Sequence, residues 1–175
     1  MKLVPALLFE TVKEKYKDVS ENTPMIGTYA RWEYGKHPTD ESLRAYLDNG
    51  EMYFLEDQGK IAGMVAVVMH QDEDYASISW SERLADDQVA TLHMLAVCPE
   101  YQGRGLGGII LEEAEALAKR NGKQAVRLDA LACNLPAQRM YQKSGYSYRG
   151  KQYRYAENTG WMDFFFYEKE IIRRE

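Results

Sequence analysis

Apolar positions recur at helical spacing near the start of the chain. Four of them predict a first helix over residues 6–19: Leu8, Val12, Tyr16 and Val19. Pro38-Thr39-Asp40 marks the start of a second, shorter helix, and Asn49-Gly50 ends it. Ahead of the first helix we find no clear strand pattern, so the predicted sheet begins after the second helix.

Six segments have the apolar character of strands: 51–57, 61–70, 89–97, 125–131, 146–155 and 161–171. The first two flank a Gln58-Gly59 turn and predict a hairpin. A helical face from Leu106 to Leu117 separates the third and fourth, and Asn134 caps a further helix after the fourth. The two late strands are predicted to be antiparallel. The predicted fold class is α/β, with a mixed, mostly antiparallel central sheet that contains one parallel βαβ unit.

Length and charge narrow the classes of function. The chain has 175 residues and no repeat or linker, which predicts a single domain over residues 1–175. A net charge of −5 argues against nucleic acid as the main partner, because phosphate binding favours a basic surface. The longest apolar run, residues 61–69, is too short to cross a bilayer, so no membrane association is expected.

Cysteine usage and the acidic segments add little chemistry. Cys98 and Cys133 lack Cys-x-x-Cys spacing and neighbouring histidines, so no metal site is predicted. Two thiols in a chain of this size suit a reducing compartment, and we expect a cytoplasmic protein. The acidic stretches over residues 71–75 and 83–88 are interpreted as solvated loops.

The segment Tyr101–Gly108, YQGRGLGG, joins an apolar strand to a helix, and four of its eight residues are glycine. Unpaired N–H groups at a helix start, together with the helix dipole, bind phosphate. Glycine leaves the backbone bare so that the phosphate can approach it closely. We therefore interpret this loop as an anion-binding loop and not only as a tight turn.

Three phosphate-binding templates fit this loop unequally. A Walker loop requires Gly-Lys-Ser/Thr, which is absent from the chain's sequence here. The dinucleotide pattern G-x-G-x-x-G matches Gly103, Gly105 and Gly108, with Asp129 at about the distance of a ribose contact. However, that pattern normally belongs to the first strand of a sheet, and Asp129 lies within a strand instead of at its end. A nicotinamide-dependent oxidoreductase is thus a distant alternative.

The third template is Q-x-x-G-x-G, which residues 102–107 match. A second motif, N-x-x-A-x-x-x-Y followed by Lys-x-Gly-aromatic, matches Asn134, Ala137, Tyr141, Lys143, Gly145 and Tyr146. Together the two motifs resemble the acyl-CoA-binding half of the GCN5-related N-acetyltransferases, the GNAT family. The resemblance covers about residues 40–170, and the first 40 residues match only loosely.

The resemblance implies a coenzyme A site between two splayed central strands, the third and fourth of the predicted sheet. In the family, the pyrophosphate lies on backbone N–H groups of the glycine-rich loop, and the pantetheine arm runs along the preceding strand like an added strand. The residues so implied are Leu95, Ala96, Val97, Gln102, Gly103, Arg104, Gly105, Leu106, Gly107, Gly108, Asn134 and Tyr141.

The resemblance also implies catalytic roles. Tyr141, with a phenol pKa of about 10, can donate a proton to the departing thiolate. His93, two residues before Leu95, is the candidate base for the attacking amine, because an imidazole pKa of about 6.5 suits that role. Other members have a glutamate where this chain has Thr91, and Glu51 and Asp129 are weaker alternatives for the base. An acyl-cysteine at Cys98 is discounted, since no paired base is evident.

The expected activity is acetyl-CoA-dependent transfer of an acetyl group to a primary amine in a ternary complex. The acceptor is a small-molecule or peptide amine. Four aromatic residues are candidates for its pocket: Trp32, Tyr34, Trp80 and Trp161. A non-catalytic acyl-CoA sensor on the same fold is the alternative, because fold does not fix function. By analogy with the family, a homodimer is expected.

Overall fold

A computed structural model describes residues 1–81 and 83–171. Its strands are β1 (Lys2–Pro5), β2 (Met52–Asp57), β3 (Lys60–Val68), β4 (Val89–Val97), β5 (Ala125–Leu131), β6 (Ser147–Ala156) and β7 (Gly160–Glu170). Its α-helices are α1 (Phe9–Asn22), α2 (Ile26–Tyr29), α3 (Asp40–Asp48), α4 (Leu106–Arg120) and α5 (Leu135–Lys143). No helix within the described residues is long and apolar enough to cross a membrane.

The seven strands form one sheet in the order β1-β2-β3-β4-β5-β7-β6. Every neighbouring pair is antiparallel except β4 and β5, which are parallel and joined through α4. This arrangement confirms the predicted mixed sheet with its single βαβ unit.

Strand β1 corrects the expectation that no strand precedes the first helix. It pairs with β2 from Lys2↔Glu56 to Pro5↔Tyr53, and the Leu3 N–H also donates to Glu113 Oε2 of α4 at 3.1 Å. Four half-exposed residues are too short to show strand periodicity. Because β1 takes the first residues, helix α1 begins at Phe9 and not at residue 6.

Two apolar layers cover the sheet. Helices α4 and α5 pack on one face, and α1, α2 and α3 pack on the other. Close approach of α4 and α5 depends on Gly107, because a Cβ there would collide with the Met140 sulfur. Gly63 of β3 is similarly enclosed, with Ile110 Cδ1 only 2.7 Å from where a Cβ would lie.

The segment between β3 and β4 corrects the expectation of solvated acidic loops. Tyr75 and Ile78 are buried against Phe164 and Phe166 in a third apolar cluster. Further along, the Ser81 N–H donates at 3.0 Å to Glu168 of β7. The acids of residues 71–75 therefore sit on a segment that covers the sheet, which sequence polarity alone does not reveal.

A buried ion pair anchors that segment. Arg127 of β5 lies 2.8 Å from Glu168, and each side chain is about 1% exposed. Arg127 also contacts Gln71, and its guanidinium stacks over Trp80 at 4.3 Å. A buried charge without a partner is costly in free energy. Gln71, Trp80 and Ser81 contact Arg127 or Glu168, and these contacts hold the segment in place.

Candidate active site

Strands β4 and β5 separate part-way along their length. They pair from Val89↔Ala125 to Leu92↔Leu128, and no pairing continues beyond that point. A cavity of about 810 Å³ occupies the gap. Its wall contains Met140 and Tyr141 from the α5 side and residues of the opposite face, so the cavity passes through the sheet.

A bulge in β4 lies where the strands separate. Met64↔Ala96 and Ala66↔His93 pair across β3 and β4, which leaves one extra residue in β4, and Met94 has a left-handed backbone (φ 57°). The buried Tyr16 hydroxyl donates to the Met94 carbonyl at 2.6 Å and fixes the bulge. Sequence reasoning placed Tyr16 only in the helix core.

The bulge changes which side chains face α4 and α5. Leu95 and Val97 pack with the cluster on that face, whereas Met94 and Ala96 pack with α1 and α3. Since β5 has diverged, one backbone edge of residues 95–97 has no neighbouring strand among the described residues. An extended ligand with amide groups can hydrogen-bond to such an edge.

The glycine-rich loop meets the start of α4 at the end of this edge. Gly103 and Gly105 both have φ +76°, and an added Cβ at either would meet no heavy atom within 4 Å. These two glycines are therefore not required for internal packing, whereas Gly107 is. A bare, left-handed backbone at the first turn of a 15-residue helix fits a phosphate group.

The two polar side chains of the loop have internal partners. Gln102 Nε2 donates to the Val97 carbonyl at 3.0 Å and to Thr23 Oγ1 at 2.8 Å. Arg104 Nη2 donates to the Glu100 carbonyl at 2.9 Å. Gln102 thus fastens the loop to β4 and to the C-cap of α1, a role that the sequence motif does not reveal.

Helix α5 contributes Tyr141 to the cavity wall, and its N-cap residue contributes Asn134. Asn134 Oδ1 accepts the Ala137 N–H at 3.2 Å and caps the helix, as predicted. Tyr141 is 7% exposed and packs edge-on against Tyr167. Burial, reinforced by the negative charge of Asp129, raises the pKa of Tyr141, so its hydroxyl keeps its proton at neutral pH.

His93 lies on the other side of the gap from Tyr141, on the face covered by α1 to α3. Its Nε2 is 2.7 Å from Asp72 Oδ2, and Tyr46 of α3 stacks on the ring at 5.9 Å. Burial lowers the pKa of His93, but the Asp72 contact and the charges of Asp129 and Glu51 outweigh it, so the net shift is upward. His93 is therefore a stronger base than a free imidazole.

Asp129 of β5 follows Leu128, the last residue of that strand to pair with β4. Its Oδ1 accepts the Tyr75 hydroxyl at 2.5 Å, and Arg154 Nη2 lies 3.9 Å from its Oδ2. Its charge also acts on His93 and Tyr141. Asp129 thus sits among the candidate acid, the candidate base and the far wall of the cavity.

The chain matches known proteins over most of its length. The Acetyltransferase (GNAT) family profile matches residues 14–146, well over half of the chain. The chain belongs to the GNAT family. These acetyltransferases use acetyl-CoA, and the GNAT membership is in keeping with the two motifs and the splayed strands.

Curated relatives of this GNAT protein are distant. An uncharacterized N-acetyltransferase of Bacillus subtilis, YesJ, is 25% identical over 89% of this chain and 87% of its own. A Streptomyces lavendulae streptothricin acetyltransferase is 27% identical over 77% of this chain and 63% of its own. An uncharacterized N-acetyltransferase of Methanocaldococcus jannaschii, MJ1207, is 27% identical, and the match spans only 40% of its length.

Solved GNAT structures share the fold. One from Streptococcus agalactiae has a TM-score of 0.76 at 19% identity, covering 99% of this chain and 96% of that one. The yncA protein of Salmonella typhimurium, solved with acetyl-CoA, has a TM-score of 0.69 at 17% identity, covering 100% and 96%. At these identities the comparison shows the architecture alone.

The four aromatic residues predicted to form the acceptor pocket do not all line the cavity in this GNAT structure. Trp32 lines the cavity, beside His37. The other three do not line it. Tyr34 donates to Asp40 at 2.7 Å, Trp80 covers Arg127, and Trp161 is 64% exposed against Tyr153 on the late hairpin. An aromatic residue's distance from a cavity depends on tertiary contacts, which composition does not encode.

The structure also shows where Thr91 and the alternative bases, Glu51 and Asp129, lie relative to the cavity. Thr91 is buried and donates to the His70 carbonyl at 3.0 Å. Glu51 does not line the cavity and acts on His93 only through its charge. Of the two alternative bases, Glu51 and Asp129, only Asp129 lies in the cavity wall with His93.

Proposed function

We propose that this protein transfers the acetyl group of acetyl-CoA to a primary amine, by direct attack within a ternary complex. The observation that carries the proposal is the cavity through the sheet. Its wall includes the bare edge of β4, Tyr141 from one face and His93 with Asp72 from the other. Acetyl-CoA supplies the activated thioester acyl group when it is bound.

The residues that would hold acetyl-CoA follow from the open backbone of the site. Gly103, Gly105 and the first N–H groups of α4 would bind the pyrophosphate. The edge of β4 over residues 95–97 would pair with the amides of the pantetheine arm. Asn134, in the same wall, would offer its side-chain amide to that arm.

His93 would take a proton from the attacking amine. A lysine-like amine, with a pKa of about 10.4, is mostly protonated at neutral pH and must lose that proton before it attacks. Asp72 strengthens His93 as a base, and the imidazole accepts the proton in its neutral form. The bond between nitrogen and the acyl carbon then forms as the carbon–sulfur bond breaks.

Tyr141 would return a proton to the sulfur of the departing coenzyme A. Its raised pKa keeps the hydroxyl protonated at neutral pH, so it can donate a hydrogen bond to the sulfur as negative charge develops there. The proton that completes the free thiol passes through this hydroxyl, which is reprotonated from water. Proton exchange with water then restores His93 and Tyr141. An acyl-cysteine route is disfavoured, because Cys98 is fully buried and burial raises the pKa of its thiol to about 11.

The test measures thiol release from acetyl-CoA against a panel of amines, with Tyr141→Phe beside the wild type. Tyr146→Phe is the matched control, because it removes a hydroxyl from the same aromatic cluster but does not line the cavity. We expect Tyr141→Phe to lower kcat by about 10²-fold or more, the usual contribution of a general acid, with the acetyl-CoA affinity nearly unchanged.

Two outcomes would overturn this assignment. Equal rates for Tyr141→Phe and Tyr146→Phe would make Tyr141 a packing residue. Tight acetyl-CoA binding with no thiol release for any amine or peptide would favour the acyl-CoA sensor.

A further inference from the structure

The charges that line the acceptor side of the cavity are mostly negative. Three carboxylates belong to this acidic wall, which consists of Asp72, Asp74 and Asp129. Within the described part of the chain, Arg154 is the one lysine or arginine that lines the cavity. The wall therefore carries more negative than positive charge when its imidazoles are neutral.

The positive charge of Arg154 is already compensated. Its Nη1 lies 3.1 Å from Asp74 Oδ2, its Nη2 lies 3.9 Å from Asp129 Oδ2, and its guanidinium stacks over Phe164 at 4.1 Å. An acceptor carboxylate that approached Arg154 would have to compete with two carboxylates of the protein. An α-amino acid would thus meet repulsion where a specific site would supply a free cation.

The two imidazoles do not change this balance when the amine binds, before proton transfer. Burial lowers the pKa of His37, so it is neutral at neutral pH. His93 must be neutral to accept a proton from the amine. With three carboxylates against one guanidinium, the wall then has two uncompensated negative charges. The reacting ammonium neutralises one of them, and a second cationic group on the acceptor would neutralise the other.

Aromatic faces supply the remaining surface. Trp32, Tyr46, Tyr75 and Tyr155 line the same cavity. Aromatic rings attract ammonium groups and pack against methylene chains. The wall thus combines carboxylates with aromatic faces, a combination that suits an aliphatic chain with cationic ends.

A hydrogen bond also spans the rim of the cavity at the acceptor end. Asn158, in the turn between β6 and β7, donates to the Arg31 carbonyl at 3.1 Å, just beyond α2. Asn158 and Ala30 both line the cavity, so this contact joins two parts of its rim. A compact acceptor passes beneath such a bridge, whereas an extended peptide would have to break it.

From this geometry we infer that the acceptor is a small aliphatic amine with a second cationic group and no carboxylate, that is, a compound of the diamine class. The inference rests on the proposed acetyl transfer for its chemistry. The acidic wall and the compensated Arg154 carry it, with His93 taken as the neutral base.

Three acceptors of matched length test the inference. Cadaverine, lysine and pentylamine share a five-carbon aminoalkyl chain. Lysine differs from cadaverine by its carboxylate, and pentylamine differs by the loss of one amine. We expect kcat/KM for cadaverine to exceed that for pentylamine and for lysine, each by about tenfold or more, with lysine the poorest. Calorimetric binding of the three amines to the protein with coenzyme A should follow the same order without requiring turnover.

Two variants test whether the acidic wall causes the preference for cadaverine over lysine. Asp74→Asn removes one partner of Arg154, so the ratio of cadaverine to lysine affinity should fall several-fold. Glu73→Gln is the matched control, since Glu73 precedes Asp74 but does not line the cavity, and it should leave the ratio unchanged. An equal response of both variants would assign the effect to overall charge and overturn the role of the wall.

The outcomes separate this inference from the proposed function. Cadaverine binding in the expected order, with no thiol release for any amine or peptide, would overturn the transferase and support the diamine preference. Acetyl transfer to lysine or a peptide as fast as to cadaverine would support the transferase and overturn the preference. Failure of all three amines to bind would also overturn the preference.

Discussion

Replacing Gly105 by leucine tests whether the glycine-rich loop holds the coenzyme. Gly105 has φ +76°, with open space where a side chain would begin. The left-handed backbone costs about 1–2 kcal/mol for a residue other than glycine. For a domain of this size that corresponds to a fall in Tm of roughly 2–8 °C, since 1 kcal/mol shifts Tm by about 2–4 °C. The fold should survive this cost.

The expected loss of acetyl-CoA affinity is larger. A leucine at residue 105 would hold the pyrophosphate away from the loop backbone. Each hydrogen bond to a charged group contributes about 1.5–3 kcal/mol, so the loss of one such bond weakens binding by about tenfold or more. Isothermal titration with acetyl-CoA measures the affinity, and thermal unfolding without ligand measures the stability.

Gly122→Leu is a matched control at the other end of α4. Gly122 has φ +74° and equally open surroundings, and it follows the C-cap of α4, at the opposite end of the helix from the glycine-rich loop. Both variants should lose similar stability, but only Gly105→Leu should lose affinity. Wild-type affinity in Gly105→Leu, or an equal loss in both variants, would refute a role for the loop in binding.

Two further substitutions probe the strand β4. Asp72→Asn removes the carboxylate that raises the pKa of His93. Because the base works deprotonated, the acidic limb of the kcat/KM–pH profile should move to lower pH. An unmoved limb would exclude His93 with Asp72 as the base. Asp87→Asn is its control, an acid of the same segment between β3 and β4 that does not line the cavity. Tyr16→Phe leaves the buried Met94 carbonyl without its hydroxyl donor. The free energy of unfolding, measured in urea, should fall by about 1–3 kcal/mol. An unchanged unfolding midpoint would show that the bulge does not need Tyr16.

The elements that carry the proposed coenzyme site were predictable because their signals are local. The glycines of the loop, the Asn134 cap and the Tyr141 position all lie in continuous motifs whose spacing fixes the helices α4 and α5. The parallel pair of strands follows from the same order of elements. Strand β1 was missed because four half-exposed residues carry too little periodicity.

The acceptor half of the site depends on contacts between distant segments. Asp72 meets His93 only because the segment after β3 folds back over the sheet, held by the buried Arg127–Glu168 pair. In sequence that segment has the polarity of a solvated loop. In the sequence, Asp129 appears only as a strand residue. In the structure, its side chain accepts a hydrogen bond from Tyr75, which is 54 positions away. No local pattern encodes such pairings.

The passage through the sheet has a consequence for the order of events in catalysis. Under the proposed assignment, the nucleotide is held on the α4 side, and the amine approaches from the side of α1 to α3. Each reactant then has its own entrance, so the arrival of one does not block the other. Both products can likewise depart independently. Such a two-entrance arrangement favours a sequential mechanism, with initial-velocity lines that intersect, over a ping-pong mechanism with parallel lines.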